Sequence, residues 1–501
     1  MVKTKTKSGI LAYLAAVFGI ALASCSSSLI PFVPYNNYVE DLDAHERFDG
    51  DGYYRLGDYS PLTYLNHDGA EESFDGFADV FRHKGVHKSI RATGRQKLLV
   101  IPVDFADYPS SDLPEGSAGS LSVLQNAFFG ADENAQWRSV AGFYNQSSYG
   151  KLVLDGKVTD WYRSSYLASD IRDSSSKSTI VRSIYNSALA WYDDQYGDLA
   201  AYYADGNAAN RTPVYLVYSH PSETGEGGRD KMFWAYTINQ SDALTCWSSY
   251  SLTYLDSGKP ETHTYIHEVG HLLGLDDYYN TDGETYGPTG RADMMDYSIG
   301  DHTGYSKMLL DWTRPYAVTD SCAITIRPFA VNGDLILIKN GWNQTAMDEY
   351  LLLEFYAPTG LNAQDSAFSW SGARLMREAG IKVYHVDSRV AFLSTDIFSR
   401  PIGYIADGGY SKATNRVAIA HTNSRTTTYG DNRLYHLLEK SGDNTFLAGG
   451  VATSETLFKK GDTFGIEAFA DFTFDSGEAL GYTFAVTQLT NTYATIDISK
   501  I

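Results

Sequence analysis

The sequence predicts an α+β domain followed by an all-β, sandwich-like domain. Three observations lead there. Helical and strand periods alternate between residues 95 and 320, short strand patterns follow one another almost without interruption from 321 to 501, and the composition can bury a sizeable core. Hydrophobic residues make up 43% of the 501 and charged residues 20%, far from the balance of disordered chains. Tyrosines number 38 beside 23 Phe and 8 Trp, which suits strands and surfaces where an apolar ring ends in a wet hydroxyl. Lys+Arg 40 against Asp+Glu 61 leaves a formal charge of −21. That sign repels phosphate backbones, so no nucleic-acid partner is expected.

The amino terminus reads as an export signal over residues 1–24. Lys3, Lys5 and Lys7 precede an apolar run from Ile10 to Ala23, too short for the ~20 residues that span a bilayer but suited to a signal-peptide core. Leu22-Ala23-Ser24-Cys25 resembles the bacterial lipobox, so Cys25 is expected to carry lipid and hold the protein at the extracellular face of a membrane. Cleavage at Ala21-Leu22-Ala23, giving a plainly secreted protein, is the alternative. Residues 25–94 read as a tether or pro-segment. From Ser26 to Asp79 no helical or strand period is sustained, and a basic run from Arg82 to Lys97 follows. Cys246 and Cys322 are the only later cysteines, so disulfides cannot be the main source of stability; one bridge or two separate thiols both fit.

In the 95–320 region, Leu98–Val103 is a buried strand, Ser139–Gln146 a helix, and Leu152–Trp161 an alternating strand. Ile180, Ile184, Ala188 and Trp191 recur at helical spacing between Thr179 and Asp193. Val214–Tyr218 is a further strand. From 321 onward the strand patterns are Ala323–Ile326, Leu335–Ile338, Tyr350–Phe355, Ile381–Val386, Val417–Ala420, Tyr482–Val486 and Ala494–Ile498, divided by Gly, Asp and Asn turns.

Chemistry concentrates at His267-Glu268-Val269-Gly270-His271-Leu272-Leu273-Gly274-Leu275-Asp276-Asp277. Four residues apart on a helix, His267 and His271 project from one face and can reach one ion, with Glu268 beside them where a water would sit. Gly274 can adopt a left-handed conformation, end the helix and return the chain so that Asp277 meets the same ion. Chance supplies HExxH with Gly and Asp at these offsets in roughly one such chain in ten thousand. A competing third ligand is Glu284, by analogy with proteases whose third ligand is a more distant glutamate.

Downstream, Asp293-Met294-Met295-Asp296-Tyr297 offers a methionine where metzincin proteases place a turn beneath the metal. With that turn and the HExxHxxGxxD segment together, the chain resembles the immune inhibitor A family of bacterial zinc metallopeptidases. The likeness runs from about Leu98 to Phe464 and is carried by Leu98–Asp107, Ser139–Tyr162, Asp301–Trp312, Glu349–Leu361 and Gly380–Asp387. It is weak over Tyr202–Asn210, and Leu275-Asp276 stands where the family often has Leu-Pro. The resemblance implies a metzincin-like catalytic domain over 95–320 with the sandwich-like domain over 321–501. It implies a Zn2+ ion held by His267, His271 and Asp277, and Glu268 as the general base that takes a proton from water and passes it to the leaving amine. It also implies Met295 beneath the histidines, or Met294 if the turn is shifted by one.

Tyr297 matches the position from which some metzincins present a hydroxyl to the transition state, although a packed ring is the commoner role. Asp276, Asn280, Asp282 and Glu284 crowd oxygen atoms after the helix and form a candidate Ca2+ set; a solvated acidic loop fits as well. His263, four before His267, reads as a histidine on the exposed start of the helix. His385 and Asp387 read as core-strand residues. The expectation is a lipid-anchored zinc endopeptidase acting on protein or peptide substrates. Its rivals are a surface binding protein or adhesin that keeps the fold, and a zinc hydrolase of non-peptide amide or glycoprotein links. No glycine loop for a nucleotide and no G-x-S-x-G elbow is present.

Overall fold

The apolar run that opens the first domain forms β1 (Gly94–Asp104), buried from Leu98 through Asp104 after a largely exposed start at Gly94–Lys97. Burial on both faces is what an uninterrupted Leu-Leu-Val-Ile sequence demands, and parallel sheets provide it. The computed structural model describes residues 51–65, 71–74, 89–202, 213–222, 233–240, 243–253, 255–256, 258–280, 285–367, 376–395, 401–405, 415–419, 423 and 433–501. All of them belong to the unit Tyr35–Ile501. The signal segment and Cys25 lie outside the described residues, as do Asp282 and Glu284.

Strand β1 pairs in parallel with β2 (Leu152–Val158) and β3 (Val214–Tyr218). Beyond β3 the sheet continues through β4 (Tyr236–Gln240) and β5 (Ala243–Ser249) in the order β2-β1-β3-β5-β4, with β4 at the edge and antiparallel to β5. Alternation along β1 divides its side chains between two cores. Leu99, Ile101 and Val103 pack with Val181, Ile184, Ala188 and Tyr192, buried positions of a 20-residue helix over Lys177–Tyr196. Leu98 and Val100 face the other way, toward helices α1 (Gly116–Phe129), α2 (Val140–Ser147) and α3 (His263–Leu273).

A second sheet closes the far side of those helices. Its order is Tyr53–Arg55, β6 (Tyr316–Val318), β7 (Leu335–Ile338), β8 (Glu349–Tyr356), β9 (Gly380–Asp387) and β10 (Tyr435–Leu438). Leu335, Leu337, Tyr350, Leu352, Tyr384 and Tyr435 join the core that holds α3. Ile336, Ile338, Leu351, Leu353 and Val383 point to the opposite face. There they meet a four-stranded sheet made of Cys322–Ile326, Ala494–Lys500, Tyr482–Leu489 and Thr463–Phe464. The two sheets thus face each other across one core.

Two boundaries read from the sequence need correction. The division at 320–321 does not separate two cores, because β7 to β10 bury alternate residues in the same cluster as α3. Runs such as Leu335–Ile338, apolar at every position, are the local sign of a strand covered on both sides. The tether region also contains structure. Tyr53–Arg55 adds an antiparallel edge to β6, and Leu62–Leu65 pairs with Glu71–Phe74. A three-residue strand has no period to detect; its order comes from the partner strand. Within the second sheet, β7, β8 and β9 lie over the expected strands Leu335–Ile338, Tyr350–Phe355 and Ile381–Val386, whereas β6 and β10 are not among those expected. Cys246 and Cys322 are both free thiols. No helix of the described residues is long and apolar enough to cross a membrane.

Candidate metal centre

Helix α3 buries one face against the core and leaves the other partly exposed. Ile266, Val269, Leu272 and Leu273 are buried, while His267 and His271 lie at the border with 13% and 12% of their side chains exposed, enough for solvent to reach them. Gly274 ends the helix at φ 105°, and its N–H donates to the carbonyls of Gly270 and His271. Only glycine adopts that conformation without strain. The reversal brings Asp277 back over the helix. Its Oδ1 lies 3.1 Å from His267 Nε2 and 3.4 Å from His271 Nε2.

The other ring nitrogens are committed. His267 Nδ1 donates to the Met294 carbonyl at 2.9 Å and His271 Nδ1 to the Leu275 carbonyl at 2.8 Å. A carbonyl can only accept, so each Nδ1 carries a proton and each ring turns its Nε2 toward Asp277. Two ring nitrogens and a carboxylate so close require positive charge among them, either protons on the Nε2 atoms or a metal cation. Without a metal, protons supply it. Burial pushes both imidazoles down, but the Asp277 carboxylate overrides it and raises both, His271 to about 10. Burial pushes Asp277 up, yet the imidazoles overcome this and hold it well below its ordinary range. Two nitrogens and an oxygen around one tetrahedral zinc at about 2.0–2.1 Å would stand about 3.3 Å apart, so the observed spacing fits such an ion. Ligand atoms of His267, Glu268 and His271 also lie within 4.8 Å of one another. Among these, Glu268 has one oxygen already engaged, since Oε2 accepts from the Thr237 hydroxyl at 2.9 Å. Burial raises the Glu268 carboxyl, opposed by His271 and His267.

The turn after the helix supports the site from below. A Cβ on Gly270 would meet Met295 Sδ at 2.5 Å, so glycine is what lets this methionine lie directly under α3. Met295 therefore supplies the side chain and Met294 the carbonyl that fixes His267. Asp293 holds the turn by accepting from Met295 N at 2.7 Å and from the Thr303 hydroxyl at 2.5 Å; Asp296 accepts from Thr289. Tyr278 N donates to the Met295 carbonyl at 2.9 Å, joining the returning chain to the turn.

Other residues singled out in the sequence fall differently. His263 is buried, with 4% exposure, and its Nε2 donates to the Ser298 carbonyl at 3.0 Å. The reading of an exposed histidine is thus corrected: the first turn of α3 packs under the segment that follows the methionine turn, and burial lowers this ring to about 3. Tyr297 is 40% exposed and packs against Tyr279 with ring centroids 5.5 Å apart and planes tilted by 40°. Arg291 sits over the Tyr297 ring at 5.2 Å. Tyr279 is the tyrosine whose hydroxyl bonds to Asp277. Its place, two residues past a ligand, was its only signal in the sequence. Thr237 had none, since it arrives from an edge strand. Of the candidate calcium set, Asp276 and Asn280 flank the centre, while Asp282 and Glu284 lie outside the described residues.

A second histidine–carboxylate cluster lies at Glu349, His385 and Asp475. His385 Nε2 is 2.9 Å from Glu349 Oε1, the backbone N–H of Asp475 donates to the same oxygen, and Ser476 N donates to Oε2 at 3.0 Å. Arg389 stands 3.4 Å from Glu349 and grips Asp387 through both Nε and Nη2.

The chain matches no protein-family profile and no curated protein. Among solved structures it is similar to wild-type OgpA from Akkermansia muciniphila in two crystal forms. One is 15% identical with a TM-score of 0.26, covering 60% of this chain and 91% of that one. The other is 13% identical with a TM-score of 0.24, covering 60% and 90%. Scores of this size carry no argument about fold or activity.

Proposed function

We propose that the protein is a zinc-dependent endopeptidase of the metzincin type, acting on proteins or peptides outside the cell. The observation that carries the reading is the convergence of His267 Nε2 and His271 Nε2 on Asp277, each ring anchored through Nδ1 to a backbone carbonyl, with a separately held Glu268 alongside. His267, His271 and Asp277 would hold the ion. Bound there, zinc supplies Lewis-acid chemistry, polarising a carbonyl and making water acidic near pH 7. Glu268 takes the proton from the attacking water at its free carboxylate oxygen and delivers it to the leaving amine nitrogen. Strand β4, the sheet edge that carries Thr237, offers backbone groups to which an extended peptide can add as a further strand beside Glu268.

Attachment of the mature chain to a membrane through lipidated Cys25 is proposed from the Leu-Ala-Ser-Cys sequence. Lipid labelling that persists in Cys25→Ser contradicts it. The test of function is mass spectrometry of products after the zinc-loaded full chain meets a mixed protein and glycoprotein pool, with Glu268→Gln as control. New peptide termini from the parent alone support an endopeptidase. Zinc binding without cleavage supports a binding protein, and release of non-peptide groups supports a different hydrolase.

A further inference from the structure

We propose that Thr237 is a positioning residue for Glu268, acting from the edge strand that would receive the substrate; this rests on the endopeptidase reading. Side chains alternate along β4. Tyr236 and Ile238 pack on the core that contains Trp247, whereas Thr237 turns to the opposite face, under α3. There it stands opposite Cys246 in the strand register. Thr237 Oγ1 is 2.9 Å from Glu268 Oε2 and 2.8 Å from Cys246 Sγ, and Cys246 Sγ is 3.0 Å from the Glu268 backbone carbonyl. Two contacts, one from β4 and one from β5, thus tie the sheet to one residue of the helix, and the third joins Thr237 to Cys246.

Proton accounting fixes the direction of the first contact. The Thr237 hydroxyl donates to Glu268 Oε2, so its single proton is spent there. The thiol keeps its own proton, because burial and the nearby Glu268 raise Cys246 well above the ordinary thiol range. That proton is shared between the Glu268 carbonyl and the threonine oxygen, and the hydroxyl is not drawn away from the carboxylate. One carboxylate oxygen is therefore clamped, and the other is left for the reacting water. Without the hydroxyl the carboxylate keeps its charge and its burial but loses the bond that selects its rotamer. Because Thr237 belongs to the strand on which an extended peptide would lie, the same residue sets the distance between the scissile bond and the base.

The experiment compares Thr237→Val, which keeps the β-branched shape, with Thr237→Ser, which keeps the hydroxyl. Both are made in the parent and in Glu268→Gln, and Thr237→Ala replaces valine if the strand does not tolerate it. In the parent, Thr237→Val should lower kcat about tenfold to a hundredfold with KM and zinc stoichiometry little changed, and Thr237→Ser should restore most of the rate. In Glu268→Gln, the valine change should alter the residual rate by less than about twofold, since the group it positions is gone. A fall in kcat of the same size in both backgrounds, or none in the parent, overturns the proposal. Crystal structures of the metal-free forms give a readout independent of turnover. The Glu268 carboxylate should leave its rotamer in Thr237→Val and keep it in Thr237→Ser; an unmoved carboxylate in Thr237→Val also overturns the proposal. A parent that cleaves no peptide counts against the endopeptidase reading alone, and the crystal comparison then decides on Thr237.

Discussion

The His267–His271–Asp277 and His385–Glu349 clusters have the same residue types at similar distances, yet the carboxylates meet different surroundings. Glu349 accepts two backbone N–H groups and faces His385 and Arg389, so positive charge and donors are already in place. Burial pushes its carboxyl up, but these partners outweigh it and hold the group at about 2. At the other cluster each Nδ1 is spent on a backbone carbonyl, and two Nε2 atoms converge on the one Asp277 carboxylate. Proximity of histidine and carboxylate therefore does not define a metal site. The first cluster differs in bringing two Nδ1-anchored ring nitrogens onto one carboxylate oxygen, the arrangement proposed above to hold the ion. The second is a knot of ion pairs that ties β8 and β9 to the 475–476 loop.

One substitution made at both clusters sharpens the contrast. Glu268→Gln should lower peptide cleavage by about 10²–10⁴-fold while zinc stays bound, because a general base is lost and no ligand is. Glu349→Gln should leave cleavage and zinc content unchanged. A loss of zinc in Glu268→Gln would make this residue a ligand and break the comparison. Next in size is Tyr279→Phe, which removes the hydroxyl bonded to Asp277 and should weaken zinc about 10–100-fold, the usual cost of an outer partner; competition with a chelator measures it.

Smaller effects fall on stability. Hydrogen bonds to a charged group are worth about 1.5–3 kcal/mol each in net terms, so Glu349→Gln should lower unfolding free energy by about that amount near neutral pH, read from denaturant midpoints. The pH dependence has a definite sign. The folded-state value of about 2 lies below the ordinary 4.5, so this stabilisation is present above about pH 4.5 and disappears as pH falls toward 2. The Tm of the parent should drop through that window more steeply than the Tm of Glu349→Gln. Equal slopes would show that Glu349 is not the held carboxylate.

The site was more legible than the architecture around it. His267, Glu268, His271, Gly274 and Asp277 sit within one helix and one turn, so the spacing of a 3.6-residue helix already carries their geometry. Long apolar or alternating runs such as those of β1, β8 and β9 likewise declare themselves. What the sequence hid depends on contacts between distant segments. Thr237 reaches Glu268 from a strand 31 positions earlier, and His263 is covered by Ser298 from 35 positions later. The three residues Tyr53–Arg55 become a strand only through β6. The boundary at 320–321 was misplaced because a change from mixed to strand-rich pattern marks a change of elements, and the core continues across it.

Metal content decides the central claim most directly. The full chain, its Asp277→Ala form and its His385→Ala form are each equilibrated with limiting zinc, and bound metal per chain is measured alongside folding. One zinc in the parent, one in His385→Ala and a strongly reduced share in folded Asp277→Ala is the predicted result. Full occupancy in Asp277→Ala, or loss of zinc in a folded His385→Ala, would contradict the assignment of the metal to the first cluster.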